Sequence, residues 1–297
     1  MRVLVTGAAG YLGRAVVSAL TEAGHEAVGM VRAQRPDIVH ASAIRIADLL
    51  DPIALRRAVD GVDAVCHLAG LTRVRESMTD PLRYFGVNTV GTITLLDAMA
   101  AVEVPRLVFA STGAIYGDVS GRPITEDLSD SPPHPYASSK LAAESAVEAH
   151  HGATVVLRLT NVAGGRDPDP TRLIPRVLGA AARNEPLEVN GDGTTVRDYV
   201  HVADAANAFV AGLEHLPPPG ATERYVIGSG RGTSVRQVVA AVENVSGRRV
   251  ALTHRPAVPE PSSLVADPAK ALHQLGWVPK HSDIAAIVDQ MWHAYSG

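Results

Sequence analysis

The eight residues Thr6-Gly7-Ala8-Ala9-Gly10-Tyr11-Leu12-Gly13 constrain this chain more than any other stretch. They end a strand-like run, Arg2 to Thr6, and open a helical one, Leu12 to Ala23, that Gly24 stops. Glycine permits a tight turn and close approach of backbone to a ligand, and the free N–H groups and positive end of a helix N-terminus favour an anion. A glycine triplet alone is a weak signal. Between a first strand and a first helix it predicts a dinucleotide pyrophosphate cradle, with Gly7, Gly10, Tyr11, Leu12 and Gly13 as the expected contacts.

The following residues have the rhythm that such a cradle requires. Glu26 to Val31, Ala64 to Leu68, Leu107 to Ser111 and Thr154 to Leu159 read as short buried strands. Asn88 to Val102 and Tyr136 to His150, the latter stopped by Gly152, read as helices rich in Ala and Leu. Five strands in βαβ order predict an α/β, Rossmann-type doubly wound parallel sheet. Beyond Asn161 the pairs Gly164-Gly165 and Pro168/Pro170, and later Pro217-Pro218-Pro219 and Pro256/Pro259/Pro261, break that rhythm. We therefore expect a dinucleotide-binding domain over 1–162 and a smaller C-terminal lobe from 163–197 and 229–297. Residues 198–228 pack back on the first domain in this reading, through a helix from Ala203 to Leu213 and a strand from Arg224 to Ile227.

Composition removes several classes of protein. With 46% apolar and 20% charged residues over 297 positions, the chain is neither disordered nor fibrous. Its 27 basic and 31 acidic residues give a formal charge of -4 with no basic block, so no nucleic-acid partner is expected. No apolar run approaches the roughly 18 residues of a membrane span, and Met1-Arg2 leads straight into a strand, so neither leader nor anchor is expected and the chain reads as cytoplasmic. Cys66 is the only cysteine, which rules out an intramolecular disulfide and a thiolate-rich metal site. It reads as an inert buried thiol. The twelve histidines lack the spacing of a zinc site, and no metal is expected.

The end of the second strand bears on the cofactor, because an acidic residue there binds the 2′-hydroxyl of NAD and an arginine the 2′-phosphate of NADP. Here Met30-Val31-Arg32 carries no carboxylate, and Arg32 or Arg35 is suited to a phosphate, so these residues by themselves lean toward NADP without settling the choice. Asp48, with Leu49 beside it, is placed to hold the adenine amino group. Tyr136 and Lys140 stand four residues apart, on one face of a helix. A tyrosine near its reference pKa of about 10 is a poor base, and a neighbouring ammonium is expected to bring it down. Ser111 and Thr112 emerge where the strand Leu107 to Ser111 ends, on the edge where an open α/β sheet binds its ligand. A hydroxyl beside a phenolic base orients a substrate alcohol and holds the developing carbonyl oxygen.

These stretches, together with His67-Leu68-Ala69-Gly70, Asn88, Ser111-Thr112-Gly113-Ala114-Ile115-Tyr116-Gly117 and Val196-Arg197-Asp198-Tyr199-Val200-His201-Val202, give a sequence that resembles the extended short-chain dehydrogenase/reductases. Within them it is similar to the UDP-glucose 4-epimerase-like enzymes, over nearly its whole length. The resemblance implies that Tyr136 is the base, Thr112 (with Ser111 before it) the partner hydroxyl, and Lys140 the contact to the nicotinamide ribose. It implies cofactor contacts for Leu68, Ala69 and Gly70, and makes Asn88 a buttress beside them. It makes the C-terminal lobe a nucleotide-sugar site, with Thr72 near the sugar, Asn161, Arg197 and Arg255 on the diphosphate, and Glu188, Val189 and Asn190 around the base. Arg255 stands five residues before Glu260, a wider spacing than the family's. Sugar selectivity is expected to lie around Thr72, Arg73, Arg75 and Leu264.

By resemblance the reaction is a 4-epimerisation. Tyr136 removes the C4 hydroxyl proton, hydride passes to a tightly held NAD, and the ketone turns over before hydride returns to its other face. Dehydratase relatives carry an Asp-Glu pair after the strand-end Thr, where this chain has Gly113-Ala114. An NADPH-dependent nucleotide-sugar 4-ketoreductase is the enzymatic rival, supported by Val31-Arg32. A dinucleotide-binding redox sensor is the non-enzymatic one. The resemblance also implies a homodimer in which Asn88 to Val102 and Tyr136 to His150 form a four-helix bundle with their copies.

Overall fold

The computed structural model describes residues 1–34, 40–119 and 121–296; Arg35 lies outside them. The first half runs β1 (Arg2–Thr6), α1 (Tyr11–Glu22), β2 (Glu26–Val31), β3 (Ala43–Ile46), α2 (Pro52–Val59), β4 (Ala64–His67), α3 (Val74–Thr79), α4 (Pro81–Tyr84), a π-helical turn (Phe85–Val90), α5 (Gly91–Ala101), β5 (Arg106–Thr112), a 3₁₀ turn (Gly113–Tyr116), α6 (Pro135–Glu148) and β6 (Ala153–Leu159). After it come β7 (Asn161–Ala163), α7 (Leu173–Arg183), β8 (Leu187–Asn190), β9 (Val196–His201), α8 (Val202–Glu214) and β10 (Thr222–Ile227). The chain continues through β11 (Gly232–Ser234), α9 (Val235–Ser246), β12 (Leu252–Arg255), β13 (Ser263–Leu264), α10 (Ala269–Leu275) and α11 (Ile284–Ser296).

Seven strands form the central sheet in the order β10-β6-β5-β4-β1-β2-β3, every pair parallel. The central strands are apolar on both faces, so alternate residues feed two cores. Val3 and Val5 join Val16, Val17 and Leu20 of α1 and Phe209 of α8, while Leu4, Val65 and Phe109 face Leu55 of α2, Leu95 of α5 and Val147 of α6. A third cluster, with Val177 of α7, Val242 of α9 and Val288 of α11, holds the C-terminal elements together.

The sheet has two strands more than the five expected. The strand foreseen at Arg224 to Ile227 begins at Thr222 and lies beside β6 as one edge of the sheet. β3 had not been expected at all: it is four residues long, carries Arg45, and exposes Ile44 and Ile46 at the other edge, so it lacks the apolar signature of a central strand. Two helix expectations also need correction. The helix expected from Asn88 begins with the π turn, whose extra residue per turn turns Asn88 inward to 1% exposure. Gly152 is no helix stop, since α6 ends at Glu148; a Cβ there would lie 2.3 Å from the Pro105 carbonyl oxygen, and the bare Cα lets β6 start alongside β5.

The strand order reverses at β1, where the chain first winds outward through β2 and β3 and then returns to β4 on the other side. Thr6 and His67 stand in register there, so the turns after β1 and β4 open on one crevice. Ligands of open parallel sheets bind at such a switch point.

Candidate active site

A cleft of about 1310 Å³ lies over the carboxyl ends of β1, β2, β4 and β5 and extends beneath the C-terminal elements. Its floor is the glycine turn. Gly7 has φ +71°, a left-handed conformation that side chains resist, and a Cβ on Gly13 would stand 2.1 Å from the Gly7 carbonyl oxygen. Gly10 caps α1 without a side-chain hydrogen bond, so the first N–H groups of the helix stay open to the cleft beside Tyr11, Leu12 and Gly13. Bare backbone, open donors and the positive helix end together fit a dinucleotide diphosphate. The Thr6 hydroxyl oxygen accepts the N–H groups of Leu68 and Ala69 (3.1 and 3.0 Å) and so draws the β4 turn against the cradle.

Most of the expected cofactor residues line this cleft: Arg32 at the end of β2, Asp48 and Leu49 beyond β3, and Leu68, Ala69 and Gly70 after β4. Asn88 is the exception. It lies behind the wall, its amide accepting from the Leu71 N–H (2.8 Å) and donating to the Leu71 carbonyl and to Ser139 (both 3.0 Å). It ties the Leu71 backbone to Ser139 of α6 and does not line the cleft.

Local sequence explains how Tyr136 is held. Pro135 opens α6 at the position where a missing N–H costs nothing, and the His134 ring caps the helix by accepting from Ala137 N (3.1 Å). The same ring stacks on Tyr136 at 5.9 Å, and Tyr84 meets it edge-on at 6.4 Å. Thr112 Oγ1 accepts the Ala114 N–H at the start of the 3₁₀ turn, which leaves its hydrogen for the Tyr136 phenol.

The charge balance differs from the expectation. Burial pushes the Tyr136 phenol above its ordinary value, and the Thr112 hydrogen bond and the Arg172 charge only partly oppose it. Lys140 is 6% exposed, with its ammonium 4.3 Å above the centre of the Phe109 ring, and burial pushes it down to about 8 against the opposing charge of Glu144. The side chain assigned to lower the tyrosine thus bears a desolvation cost of its own, and in this chain the residue that opposes the phenol's burial by charge is Arg172. Sequence reasoning did not single out Arg172, and no local motif marks it. It lies just before α7, pairs with Asp167 (3.2 Å) and reaches the cleft through the fold of the C-terminal elements.

Ser111, the other candidate hydroxyl, also lines the cleft, but its side chain is engaged elsewhere. It hydrogen-bonds the Glu144 carboxylate, 1% exposed and one helical turn beyond Lys140. Arg158, fully buried, grips Glu144 through Nη2 at 2.6 Å and Nε at 3.0 Å, pairs on its other side with Asp130, and stacks at 4.6 Å on Tyr116. Removing Arg158 takes away both of its contacts to the buried Glu144 and leaves that carboxylate with Arg224, at 3.2 Å, as its charged partner. Arg158→Met is expected to cost about 3–5 kcal/mol of stability in denaturant unfolding; a loss below about 1 kcal/mol would contradict the buried-network account.

On the C-terminal side Thr72, Asn161, Val189, Asn190 and Arg197 line the cleft, and Arg75 joins them. Arg197 is held by Glu260 at 2.7 Å and by the Pro261 carbonyl at 3.0 Å. Two expected contacts fall outside. β12 pairs with β8 in parallel, which sets Arg255 against Glu188 on an exposed ribbon, and Glu188 faces a separate cavity of about 740 Å³ beside α7. Of the residues expected to set sugar selectivity, Leu264 packs with Tyr116, Ile124 and Val226, and Arg73 pairs with Asp169 at 3.5 Å; neither lines the cleft. Tyr199, also in the cleft and absent from the expected contacts, sits in the quoted Val196 to Val202 stretch, which was the available signal.

A doubly wound sheet with a glycine cradle at its switch point and a Tyr-Lys pair beside it defines an extended short-chain dehydrogenase/reductase. The profile of the NAD dependent epimerase/dehydratase family matches residues 3–228, and the chain belongs to that family. It is similar to the UDP-glucose 4-epimerase of Azospirillum brasilense, 40% identical over 315 positions that cover 97% of this chain and 90% of that protein. Among solved structures it is similar to UDP-glucose 4-epimerase from Stenotrophomonas maltophila with bound NAD and formylated UDP-arabinopyranose, with a TM-score of 0.92, 31% identity and coverage of 100% and 99%. The Bifidobacterium longum enzyme in complex with NAD+ and UDP gives a TM-score of 0.90 at 29% identity, covering 99% and 98%. Among the described residues no helix is long and apolar enough to cross a membrane, and no cluster of His, Cys, Asp or Glu is arranged to hold a metal.

Proposed function

We propose that the protein is an NAD-dependent nucleotide-sugar 4-epimerase acting on a UDP-hexose. The observation that carries this reading is that one cleft holds both the diphosphate cradle of α1 and the Tyr136–Thr112 pair, with Asn161 and Arg197 at its far side. NAD, when bound there, supplies the acceptor that takes the C4 hydride and returns it. The rest is the work of the chain. Tyr136 takes the C4 hydroxyl proton, Thr112 turns its one hydrogen from the phenol to the same substrate oxygen, Arg172 supplies the charge that opposes the phenol's burial, and Lys140, one helical turn along, reaches the nicotinamide ribose. The cradle and the Leu68 to Gly70 turn fix the cofactor, while Asn161 and Arg197 hold the sugar's diphosphate, Arg197 exchanging Glu260 for phosphate oxygens. Such anchoring at the diphosphate leaves the sugar end free to turn.

The 3₁₀ turn after Thr112 begins Gly113-Ala114, so no carboxylate pair stands there for the loss of water that dehydratases perform. A cytoplasmic homodimer belongs to the same proposal: Val90 and Ile93 of the π turn and α5, and Met78 and Leu82 nearby, are exposed apolar side chains that a second copy would cover. The test is to denature freshly purified protein, identify the released nucleotide by mass, and assay UDP-sugars with no cofactor added. About one NAD per chain with interconversion of C4 epimers is expected. Protein that retains no NAD and consumes NADPH in reducing a 4-keto sugar would make it a ketoreductase instead.

A further inference from the structure

A buried chain of hydrogen bonds runs from the glycine turn to the catalytic helix, and its direction can be worked out atom by atom. Thr6 Oγ1 accepts two backbone N–H groups, from Leu68 and Ala69, so its one hydrogen is left for His67 Nδ1 at 2.7 Å. His67 Nδ1 is therefore the bare nitrogen. At the other end, Thr92 must donate its one hydrogen to the Asn88 carbonyl at 2.6 Å, because a carbonyl only accepts. Thr92 Oγ1 then accepts from His67 Nε2 at 3.0 Å, which puts the ring hydrogen on Nε2. The two ends assign the same tautomer independently. Thr92 holds the backbone carbonyl of Asn88, whose side chain carries the connection on: Nδ2 donates to Ser139 Oγ at 3.0 Å, and Ser139 donates to the Tyr136 backbone carbonyl at 2.8 Å.

We propose that His67 is a positioning residue that couples the cofactor cradle to the catalytic helix: it acts as a neutral Nε2–H tautomer joining Thr6 at the end of β1 to Thr92 and Asn88 behind the β4 turn.

Three observations support this beyond the hydrogen bonds. His67 is fully buried on the last position of β4, so no water can substitute for either neighbour. It packs at 5.5 Å against the Phe109 ring that carries Lys140 on its face. Burial and the Lys140 charge push it down to about 3, so that it is neutral and Nδ1 accepts at neutral pH. A second positive charge behind Lys140 is thereby avoided. Asn88 shows how tightly the relay is built, since its Oδ1 lies 2.9 Å from where a Cβ on Gly70 would stand.

This inference rests on the reading of the cleft as an NAD site, and its test uses NAD itself as probe. Cofactor-free protein is titrated with NAD for the wild type, for His67→Leu, which keeps the bulk but neither bond, and for His67→Gln, whose amide oxygen can accept from Thr6 while its N–H donates toward Thr92. Thermal unfolding of each cofactor-free protein separates folding from binding. His67→Leu is expected to bind NAD about ten- to hundredfold more weakly, as buried Thr6 and Thr92 hydroxyls lose their partner. His67→Gln should recover most of that loss, and Ser139→Ala added to His67→Leu should cost less than the two changes separately, because both cut one chain. Unchanged NAD affinity in a folded His67→Leu, or a His67→Gln no better than Leu at equal thermal stability, overturns the inference alone. A His67→Leu that does not fold leaves the decision to His67→Gln and to Ser139→Ala, which must then weaken NAD binding by itself. Wild-type protein that binds no NAD overturns the functional reading and this inference with it.

Discussion

Tyr136→Phe is expected to lower turnover by about a hundred- to ten-thousandfold, the range for loss of a positioned general base, while the protein stays folded and keeps its NAD. The geometry explains why the loss should be so selective. The ring is held by the stack on His134 and the edge contact with Tyr84, neither of which needs the hydroxyl. Only the Thr112 hydrogen bond disappears, on the cleft side. The check is to measure C4 epimerisation of a UDP-sugar, bound NAD and the thermal midpoint on one preparation. Turnover within about threefold of wild type would remove Tyr136 from the role of base; a lost cofactor would show instead that the hydroxyl is structural.

The second large effect is expected from Gly13→Ala. The new methyl would lie 2.1 Å from the Gly7 carbonyl oxygen and 2.9 Å from its carbon, and both are backbone atoms of the turn we propose as the diphosphate cradle. No rotamer change relieves a Cβ contact, so the turn itself must move. NAD binding should fall by at least about a hundredfold, equivalent to about 3 kcal/mol, with epimerase activity lost alongside. Overpacking costs about 1–3 kcal/mol of stability, and the rest of the fold survives. Titration of cofactor-free protein with NAD is the measurement, and undiminished affinity would show that the diphosphate sits elsewhere. Gly24 makes a useful contrast: its φ is also positive, +82°, but nothing lies within 4 Å, so substitution there strains backbone without touching the cradle.

The two variants also separate the halves of the site. One should keep cofactor and lose chemistry, and the other should lose cofactor and with it everything downstream. A protein that served only as a dinucleotide sensor would be indifferent to the first and sensitive to the second.

The sequence by itself determined what depends on neighbours along the chain. The Gly7 to Gly13 cradle is a strand, a turn and a helix start within one dozen residues. Tyr136 and Lys140 face the same way because a helix repeats about every four residues, and the central strands announce themselves through runs that are apolar on both faces. The tertiary structure alone decided which distant groups meet, and how charge is shared among them. It placed Arg172 near the phenol, gave Ser111 to Glu144, and turned Arg255 and Glu188 toward each other on an outer ribbon. It also drew β3 into the sheet, although its exposed isoleucines carry no core signature. The direction of the Thr6–His67–Thr92–Asn88 chain was hidden for the same reason: its links span 61, 25 and 4 residues, and only the last is written locally. Local geometry follows from the order of residues, whereas burial, and with it every shifted charge and every committed hydrogen bond, exists only once the chain has closed on itself.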